Sequence, residues 1–268
     1  MMDNAVSLLR EKCPLVHCMT NYVTVNDVAN AILAIGGSPI MADDIDEAGE
    51  IASVSSALVI NIGTLNARTI ESMVAAGKSA NEHSVPVIFD PVGAGASALR
   101  CRTVDRLLSE VRFSIIRGNL SEMSYIAGFE SRTKGVDSGL TDKDTDPVAV
   151  ASIVADRFNT VAAITGAVDT IVDSTRVARI HAGCREMGMI TGTGCMLTGI
   201  TGAFRGAVSD GFDAAVAAIL SMGIAGEMGY AEAKDKGTGS LRVAIIDALS
   251  RMDDSTLLGH GGVEYASR

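Results

Sequence analysis

The feature that most constrains this fold is a repeated pair, an uninterrupted apolar run of strand length followed by a polar or glycine turn and a helical segment. The apolar runs lie at residues 57–62, 86–90, 113–119 and 161–166. Strands without alternation are buried on both faces, which is typical of parallel sheets between two helical layers. The pattern therefore predicts an α/β fold with a central, mostly parallel sheet covered by helices on both faces.

Weaker patterns indicate the remaining elements. We expect helices at 4–12, from Asn26 or Asp27 to Ile35, at 66–81, and from Leu120. Further strands are expected at 15–19 and 39–42, and an antiparallel hairpin at 170–173 and 177–180. After Cys195 the pattern predicts helices only, including a buried one at 212–225 and an amphipathic one at 241–252.

Two segments lack periodicity. Residues 253–268 are expected to be a mobile tail or a subunit contact, and the polar residues 132–146 an exposed excursion. No repeat or linker divides the chain, so residues 1–268 are predicted to form a single domain.

Composition excludes several classes of protein. The formal net charge of −10 argues against a general binder of nucleic acid or of anionic membranes. The five cysteines form no Cys-x-x-Cys pair, so neither a disulfide scaffold nor a structural zinc site is expected. The N-terminus has no signal-peptide pattern, and no uninterrupted apolar run reaches the length of a membrane span. We therefore expect a cytoplasmic protein that binds neither nucleic acid nor membranes.

The turn Gly192-Thr193-Gly194-Cys195 leads directly into a segment with helical apolar spacing. A glycine turn at a helix start leaves several N–H groups free, and the helix dipole makes that end an anion site. A positively charged helix end also favours the thiolate form of a cysteine. The local residues fit equally well a structural turn with an inert, buried thiol.

Ligands of parallel sheets bind beyond the carboxyl ends of the strands. That rule brings together one set of residues: Asn21, Met41, Gly63, Asp90, Arg117–Asn119 and Thr165. Asp90 and Glu122 are candidates for the surroundings of Mg²⁺, and Arg117 for clamping nucleotide phosphates. Glu122 also fits a simpler role as an acid in the first turn of a helix.

Other sites are less well supported. Residues 93–98 match Gly-x-Gly-x-x-Ala but follow the fourth strand and come after Pro91, which does not fit a dinucleotide site. No Gly-x-x-x-x-Gly-Lys-Ser/Thr sequence occurs, and the four histidines lack metal-ligand spacing. The acidic residues 43–47 favour a solvated helix start over a metal site.

Asn119-Leu-Ser-Glu122 and the turn at 192–195 resemble the Asn-x-x-Glu and Gly-x-Gly-Asp motifs of ribokinase-like kinases. More specifically, the chain resembles the hydroxyethylthiazole kinase family. Six segments carry the resemblance in order: HCMTNYV at 17–23, SPIMA at 38–42, NIGTL at 61–65, DPVGAG at 90–95, RGN at 117–119 and TGTGC at 191–195.

The resemblance implies a ribokinase-like fold and ATP-dependent phosphorylation of 4-methyl-5-(2-hydroxyethyl)thiazole in thiamine salvage. By position it implies ATP contacts at Arg117 and Thr165, substrate contacts at Met41, Gly192, Asn21 and Val23, Mg²⁺ near Asp90 and Glu122, and a catalytic turn of Thr193, Gly194 and Cys195. It also implies a homotrimer with substrate sites at subunit interfaces.

Cys195 departs from the aspartate base of the wider superfamily. Kinases of hydroxymethylpyrimidine or of a sugar, and a ribokinase-like dehydratase of hydrated nicotinamide nucleotides, are the alternatives.

Overall fold

The computed structural model describes residues 2–129 and 145–268, which form a nine-stranded sheet in the order β2-β1-β3-β4-β5-β6-β7-β8-β9. The strands are β1 Leu15–Met19, β2 Ser38–Ile40, β3 Ala57–Asn61, β4 Val87–Asp90, β5 Ile115–Asn119, β6 Val161–Thr165, β7 Asp169–Val172, β8 Arg176–Ile180 and β9 Val263–Ser267. Strands β1 to β6 pair in parallel, and β7 to β9 extend the sheet in antiparallel fashion. The predicted α/β class, the parallel strands and the hairpin of β7 and β8 are confirmed.

Helices cover both faces of the sheet, as the apolar runs predicted. They are α1 Ala5–Lys12, α2 Val25–Ile35, α3 Ile45–Val54, α4 Ala67–Glu82, α5 Ala98–Glu110, α6 Leu120–Ala127, α7 Pro147–Phe158, α8 Thr193–Ala207, α9 Gly211–Ala233, α10 Thr238–Ser250 and α11 Asp254–Gly259, with a short 3₁₀ helix at Arg185–Met189.

Alternate residues of strands β3 to β8 pack into two separate cores. In β3, Val59 packs into the core with α1, α2 and α8 to α11, whereas Leu58 and Ile60 pack into the core with α3 to α7. A strand that contributes apolar side chains to both cores has to be apolar throughout, which explains the uninterrupted runs.

The expectation of a mobile tail at residues 253–268 is wrong, and so is the prediction that only helices follow Cys195. Asp253 caps α11 by accepting a hydrogen bond from the Thr256 N–H, and β9 pairs with β8 over the register Arg176↔Ser267 to Ile180↔Val263. Four of the five β9 residues are exposed because this strand lies at the edge of the sheet. Its pairing rests on backbone hydrogen bonds, which leave little hydrophobic pattern in the sequence.

The predicted start of α2 is also wrong, since the helix begins at Val25 rather than after Asn26 or Asp27. Asn21 accepts hydrogen bonds from both the N–H and the hydroxyl of Thr24, which fixes the residue immediately before the helix. The expected polar excursion covers residues 132–146, of which 132–144 lie outside the described residues. Its last residue, Asp146, caps α7.

Helix α9 is the buried helix expected at 212–225, but it continues to Ala233. Its length and composition would allow it to cross a membrane, yet 78% of its most apolar window is buried inside the protein. The burial identifies α9 as the core helix of one face.

The first helix is capped from the far end of the chain. Asn4, which precedes α1, makes no side-chain cap bond. Instead, the Asp254 carboxylate accepts the N–H groups of Val6 at 2.8 Å and Ser7 at 3.1 Å, and also binds the Ser7 hydroxyl. A carboxylate at this position satisfies unpaired N–H groups and complements the positive end of the helix dipole.

Candidate active site

Helix α8 begins at the edge of the sheet where β1, β3, β4 and β5 end. Gly192 occupies its N-cap position with φ of 91°, and a Cβ there would lie 2.6 Å from Thr24 Cγ2. Only glycine combines this left-handed backbone with so close an approach. The N–H groups of Thr193, Gly194 and Cys195 form the first turn, where a helix has no intrahelical acceptors for them.

Cys195 lies between two asparagines that follow or end neighbouring strands. The amide nitrogen of Asn21 is 3.1 Å from the Cys195 Sγ, and that of Asn61 is 3.3 Å from the same atom. Both asparagines are buried, whereas Cys195 is half-buried. The sequence placed Asn21 in a substrate pocket, and the structure shows that its amide contacts the thiol.

Asp90 ends β4 and is 1% exposed. Its Oδ2 accepts hydrogen bonds of 2.7 Å from both Asn61 Nδ2 and Thr198 Oγ1, and lies 3.6 Å from Arg117 Nη1. Burial raises the pKa of Asp90 to about 6, although Arg117, Thr198 and Asn61 oppose that rise. Desolvation therefore outweighs the nearby guanidinium at this carboxyl.

Arg117 connects this carboxyl with the start of α8 and the end of β6. Its Nη2 donates to Thr165 Oγ1 at 2.6 Å, and its Nη1 donates to the Gly194 carbonyl at 3.3 Å. A Cβ on Gly194 would lie 3.0 Å from Nη1, so the missing side chain lets the guanidinium approach the helix turn. The two predicted nucleotide residues, Arg117 and Thr165, are thus in direct contact.

A cavity of about 560 Å³ opens beside Arg117. Its lining includes the polar or small residues Thr165, Gly166 and Asp169. It also includes the apolar side chains of Ile219 and Met222. Burial raises the pKa of Asp169 to about 6, against the opposing effects of the Gly166 N–H and Arg117. The volume is within the range of small-molecule sites.

Glu122 lies in the first turn of α6 and binds backbone on two sides. Its Oε2 accepts the Asn119 N–H at 2.8 Å while Asn119 Oδ1 accepts the Glu122 N–H, which completes a capping box. Its Oε1 accepts the Gly93 N–H at 2.8 Å. This carboxylate therefore ties the loop after β4 to the start of α6, close enough to Asp90 for its charge to raise the pKa of Asp90 further.

Met41 and Val23 lie apart from this polar cluster. Met41 lines a second cavity of about 340 Å³ together with Tyr22 and Thr64. Val23 is 59% exposed and is not among the side chains that line this cavity. A larger cavity of about 700 Å³ lies between α5, α6 and α7, and no predicted site residue lines it.

Three polar residues at the site were not predicted from the sequence: Asn61, Thr198 and Asp169. Asn61 belongs to the NIGTL segment and stands at the end of β3, where ligand residues are expected. Thr198 lies four residues after Gly194, so it faces the same side of α8, and it also bonds to the Gly194 carbonyl at 3.1 Å. Helical spacing was therefore a signal for Thr198.

Comparison with known proteins agrees with this geometry. A family model described as "Hydroxyethylthiazole kinase family" matches residues 6–255. A hydroxyethylthiazole kinase of Ruminiclostridium cellulolyticum is 58% identical over 251 residues, covering 93% of this chain and 92% of the relative.

Two solved structures are similar as well. The structure of a hydroxyethylthiazole kinase protein from Pyrococcus horikoshii OT3 has a TM-score of 0.89 and 37% identity, and covers 98% of this chain and 97% of its own. A ribokinase-like superfamily protein from Enterococcus faecalis V583, at 10% identity, has a TM-score of 0.61 and covers 92% of this chain and 94% of its own. The second likeness supports the ribokinase-like α/β fold alone.

Proposed function

The chain belongs to the hydroxyethylthiazole kinase family, a family of phosphotransferases, and from that premise we propose how its own residues phosphorylate the hydroxyl of 4-methyl-5-(2-hydroxyethyl)thiazole with ATP in thiamine salvage. One observation carries the proposal. The first turn of α8, Asp90 and Arg117 converge at a single edge of the sheet, beside a cavity of about 560 Å³.

ATP is proposed to occupy that cavity with its phosphates toward α8. Arg117 is 11% exposed in its side chain and is held by Thr165 and the Gly194 carbonyl, so its charge is fixed at the mouth of the site. A fixed, poorly solvated guanidinium binds phosphate oxygens strongly. The apolar wall near Ile219 and Met222 suits the nucleotide base.

The transferring phosphoryl group is proposed to meet the first turn of α8. The N–H groups of Thr193, Gly194 and Cys195 form an anion hole there, and the helix dipole adds partial positive charge. Phosphoryl transfer has a loose transition state, so catalysis is mainly positioning and stabilisation of charge on the equatorial oxygens. The acceptor oxygen attacks in line while the bond to the ADP oxygen breaks.

The thiazole alcohol is proposed to bind on the side of Gly192 and Met41, with Asn21 and Val23 nearby. Its hydroxyl then approaches the Cys195 sulfur, which orients the hydroxyl and accepts its proton. Asn21 contacts the Cys195 sulfur directly, so we propose that it acts on the substrate pocket by holding the thiol in place.

Mg²⁺ is the cofactor that we propose, with Asp90 and Glu122 as the nearby carboxylates. Both hydrogen bonds and the ion pair of Asp90 converge on Oδ2, so within the described residues Oδ1 is available to a ligand. The described residues contain no cluster of three or more His, Cys, Asp or Glu, and Mg²⁺ is often held by one or two carboxylates plus phosphates and water. The residues therefore fit this ion, which supplies charge neutralisation to the phosphates when bound.

We further propose a single-domain, cytoplasmic homotrimer in which a neighbouring copy completes the thiazole pocket. Tyr22 is 80% exposed and lines the Met41 cavity, and Val23 beside it is also largely exposed. Adjacent apolar side chains at the rim of a small cavity are typical of a surface that another chain covers.

The substrate test is ADP release from ATP and Mg²⁺ with hydroxyethylthiazole, hydroxymethylpyrimidine or ribose as acceptor. We expect release with hydroxyethylthiazole only, and a product heavier by one phosphoryl group. ADP release with hydroxymethylpyrimidine alone or ribose alone would show that the proposed substrate is wrong. ATP-dependent dehydration of a nicotinamide nucleotide hydrate would show that the proposed reaction is wrong.

A further inference from the structure

The side-chain amides of Asn21 and Asn61 can adopt only one orientation. Asn61 Oδ1 lies 2.9 Å from the Gly63 N–H, and Asn21 Oδ1 lies 3.2 Å from the Thr24 N–H. A backbone N–H can only donate, so each of these positions requires the amide oxygen. Flipping either amide would set an NH₂ group against an N–H donor.

With the oxygens fixed, the remaining bonds use the full capacity of both amides. Asn61 Oδ1 also accepts from Asn21 Nδ2 at 3.1 Å, and Asn21 Oδ1 also accepts from the Thr24 hydroxyl at 3.1 Å. Asn61 Nδ2 gives one hydrogen to Asp90 and the other to the Cys195 sulfur. The second hydrogen of Asn21 Nδ2 is likewise directed at the sulfur.

Cys195 Sγ therefore has to act as an acceptor toward both asparagines. N–H donors stabilise negative charge on the atom that accepts their bonds. Two accepted bonds also restrict the sulfur to one remaining direction, in which a thiol carries its hydrogen and a thiolate its third acceptor site.

We propose that Asn21 and Asn61 are positioning residues that fix the Cys195 sulfur as a hydrogen-bond acceptor for the substrate hydroxyl. The proposal rests on the proposed kinase function and deepens it. The hydroxyl proton moves to the thiolate, the oxygen electron pair forms the new O–P bond, and the bond between the γ-phosphorus and the bridging oxygen breaks with its electrons going to ADP.

Asn61 also joins the two halves of the site. Its Nδ2 is shared between Asp90 on the nucleotide side and Cys195 on the acceptor side. The register of the sheet explains this, because Asn61 is directly opposite Asp90 in the β3–β4 pair. One amide group thus links the Asp90 carboxylate to the Cys195 sulfur.

The test is a double-mutant cycle with the substitutions Asn21→Asp and Asn61→Asp, each made in the native chain and in Cys195→Ala. Asn21→Asp keeps the acceptor for Thr24, removes the N–H donors to the Cys195 sulfur and to Asn61 Oδ1, and adds a negative charge whose separate effect the Cys195→Ala background measures. In the native background we expect kcat to fall about tenfold or more, as for the partial loss of a positioned acid–base group. In the Cys195→Ala background we expect kcat to change by less than about twofold, because the N–H donors act through the sulfur that this background lacks. Such a non-additive result shows that two residues act together.

The control is Asn30→Asp, the same change at an exposed asparagine on α2 whose amide bonds to Asn26. We expect its kcat to match the native value. Asn61→Asp places a carboxylate against Asp90, so if that variant does not fold, Asn21→Asp alone decides the test.

A second readout does not require activity. Alkylation by iodoacetamide, followed by mass spectrometry of each cysteine peptide, should be slower at Cys195 in Asn21→Asp, with exposed Cys13 as the internal standard. Equal losses of kcat in both backgrounds, or faster alkylation of Cys195, would overturn the positioning role. Absence of thiazole phosphorylation by the native protein would instead overturn the proposed function.

Discussion

Asp90→Asn is the substitution for which the structure gives the clearest magnitude. Burial raises the pKa of Asp90 to about 6 from a usual value of 3.8, so the folded protein takes up a proton that the unfolded chain releases. The stabilisation that the protonated Asp90 carboxyl contributes to the folded protein is fully present below pH 3.8. It is lost as the pH rises to about 6. A difference of about two pKa units corresponds to about 3 kcal/mol of unfolding free energy.

Asparagine cannot ionise, so the variant avoids the cost of burying the charge. Above pH 6 we expect it to be more stable than the native protein by about 3 kcal/mol, or on the order of 5–10 °C in Tm for a chain of this size. The advantage should shrink between pH 6 and pH 4. The same variant should lose phosphorylation of the thiazole alcohol, because Asp90 is proposed to face the Mg²⁺ and phosphates.

The assay is thermal and urea unfolding of both proteins at half-unit steps from pH 4 to pH 8, without nucleotide or metal. Asp169, whose pKa is also raised to about 6, is present in both proteins, so its contribution largely cancels in the difference. Asp43→Asn serves as control because that side chain is 60% exposed. A stability difference that is constant with pH, or a less stable variant at pH 8, would refute the reasoning.

Three further changes test other parts of the site and fold. Cys195→Ala should lower kcat with little change in KM, whereas Cys195→Asp should retain or raise kcat; steady-state kinetics with an unchanged kcat for Cys195→Ala would contradict a side-chain role. Gly223→Ala should raise the KM for ATP several-fold, because its Cβ would lie 2.5 Å from Ala182 Cβ in the cavity wall. Gly239→Ala is the control and should leave this KM unchanged, because its added Cβ would meet no neighbouring group within 4 Å. Asp254→Ala should lower the unfolding free energy by about 1 kcal/mol through loss of the α1 cap, measured by urea unfolding, and an unchanged midpoint would exclude that capping role.

The parallel strands were predictable because their burial on both faces leaves an unmistakable apolar run. The same physics made β9 unpredictable, since an exposed edge strand is held by backbone bonds that any sequence can make. The α2 start was predicted wrongly for a related reason. Asn21 pre-orders Thr24 from three residues upstream, which local capping preferences do not reveal.

The candidate site was predictable only as a set of positions along one edge. Strand-end rules and the family resemblance brought Asp90, Arg117 and Thr165 together, and the structure places them in one connected group. The importance of Asn61 depends on its register opposite Asp90, and register is a property of paired strands rather than of either segment alone. The location of Val23 at an exposed rim likewise depends on how the loop after β1 folds.

The capping of α1 by Asp254 has a consequence for how the chain is synthesised. Helix α1 has eight residues, fewer than the roughly 12–15 that an isolated helix needs in water. Asp254 follows Ser7 by 247 positions, and at about 5–20 residues per second a ribosome adds it on the order of 10–50 s later. Throughout that interval the first helix lacks its distant cap, so its first turn keeps unpaired N–H groups until nearly the whole chain has been made.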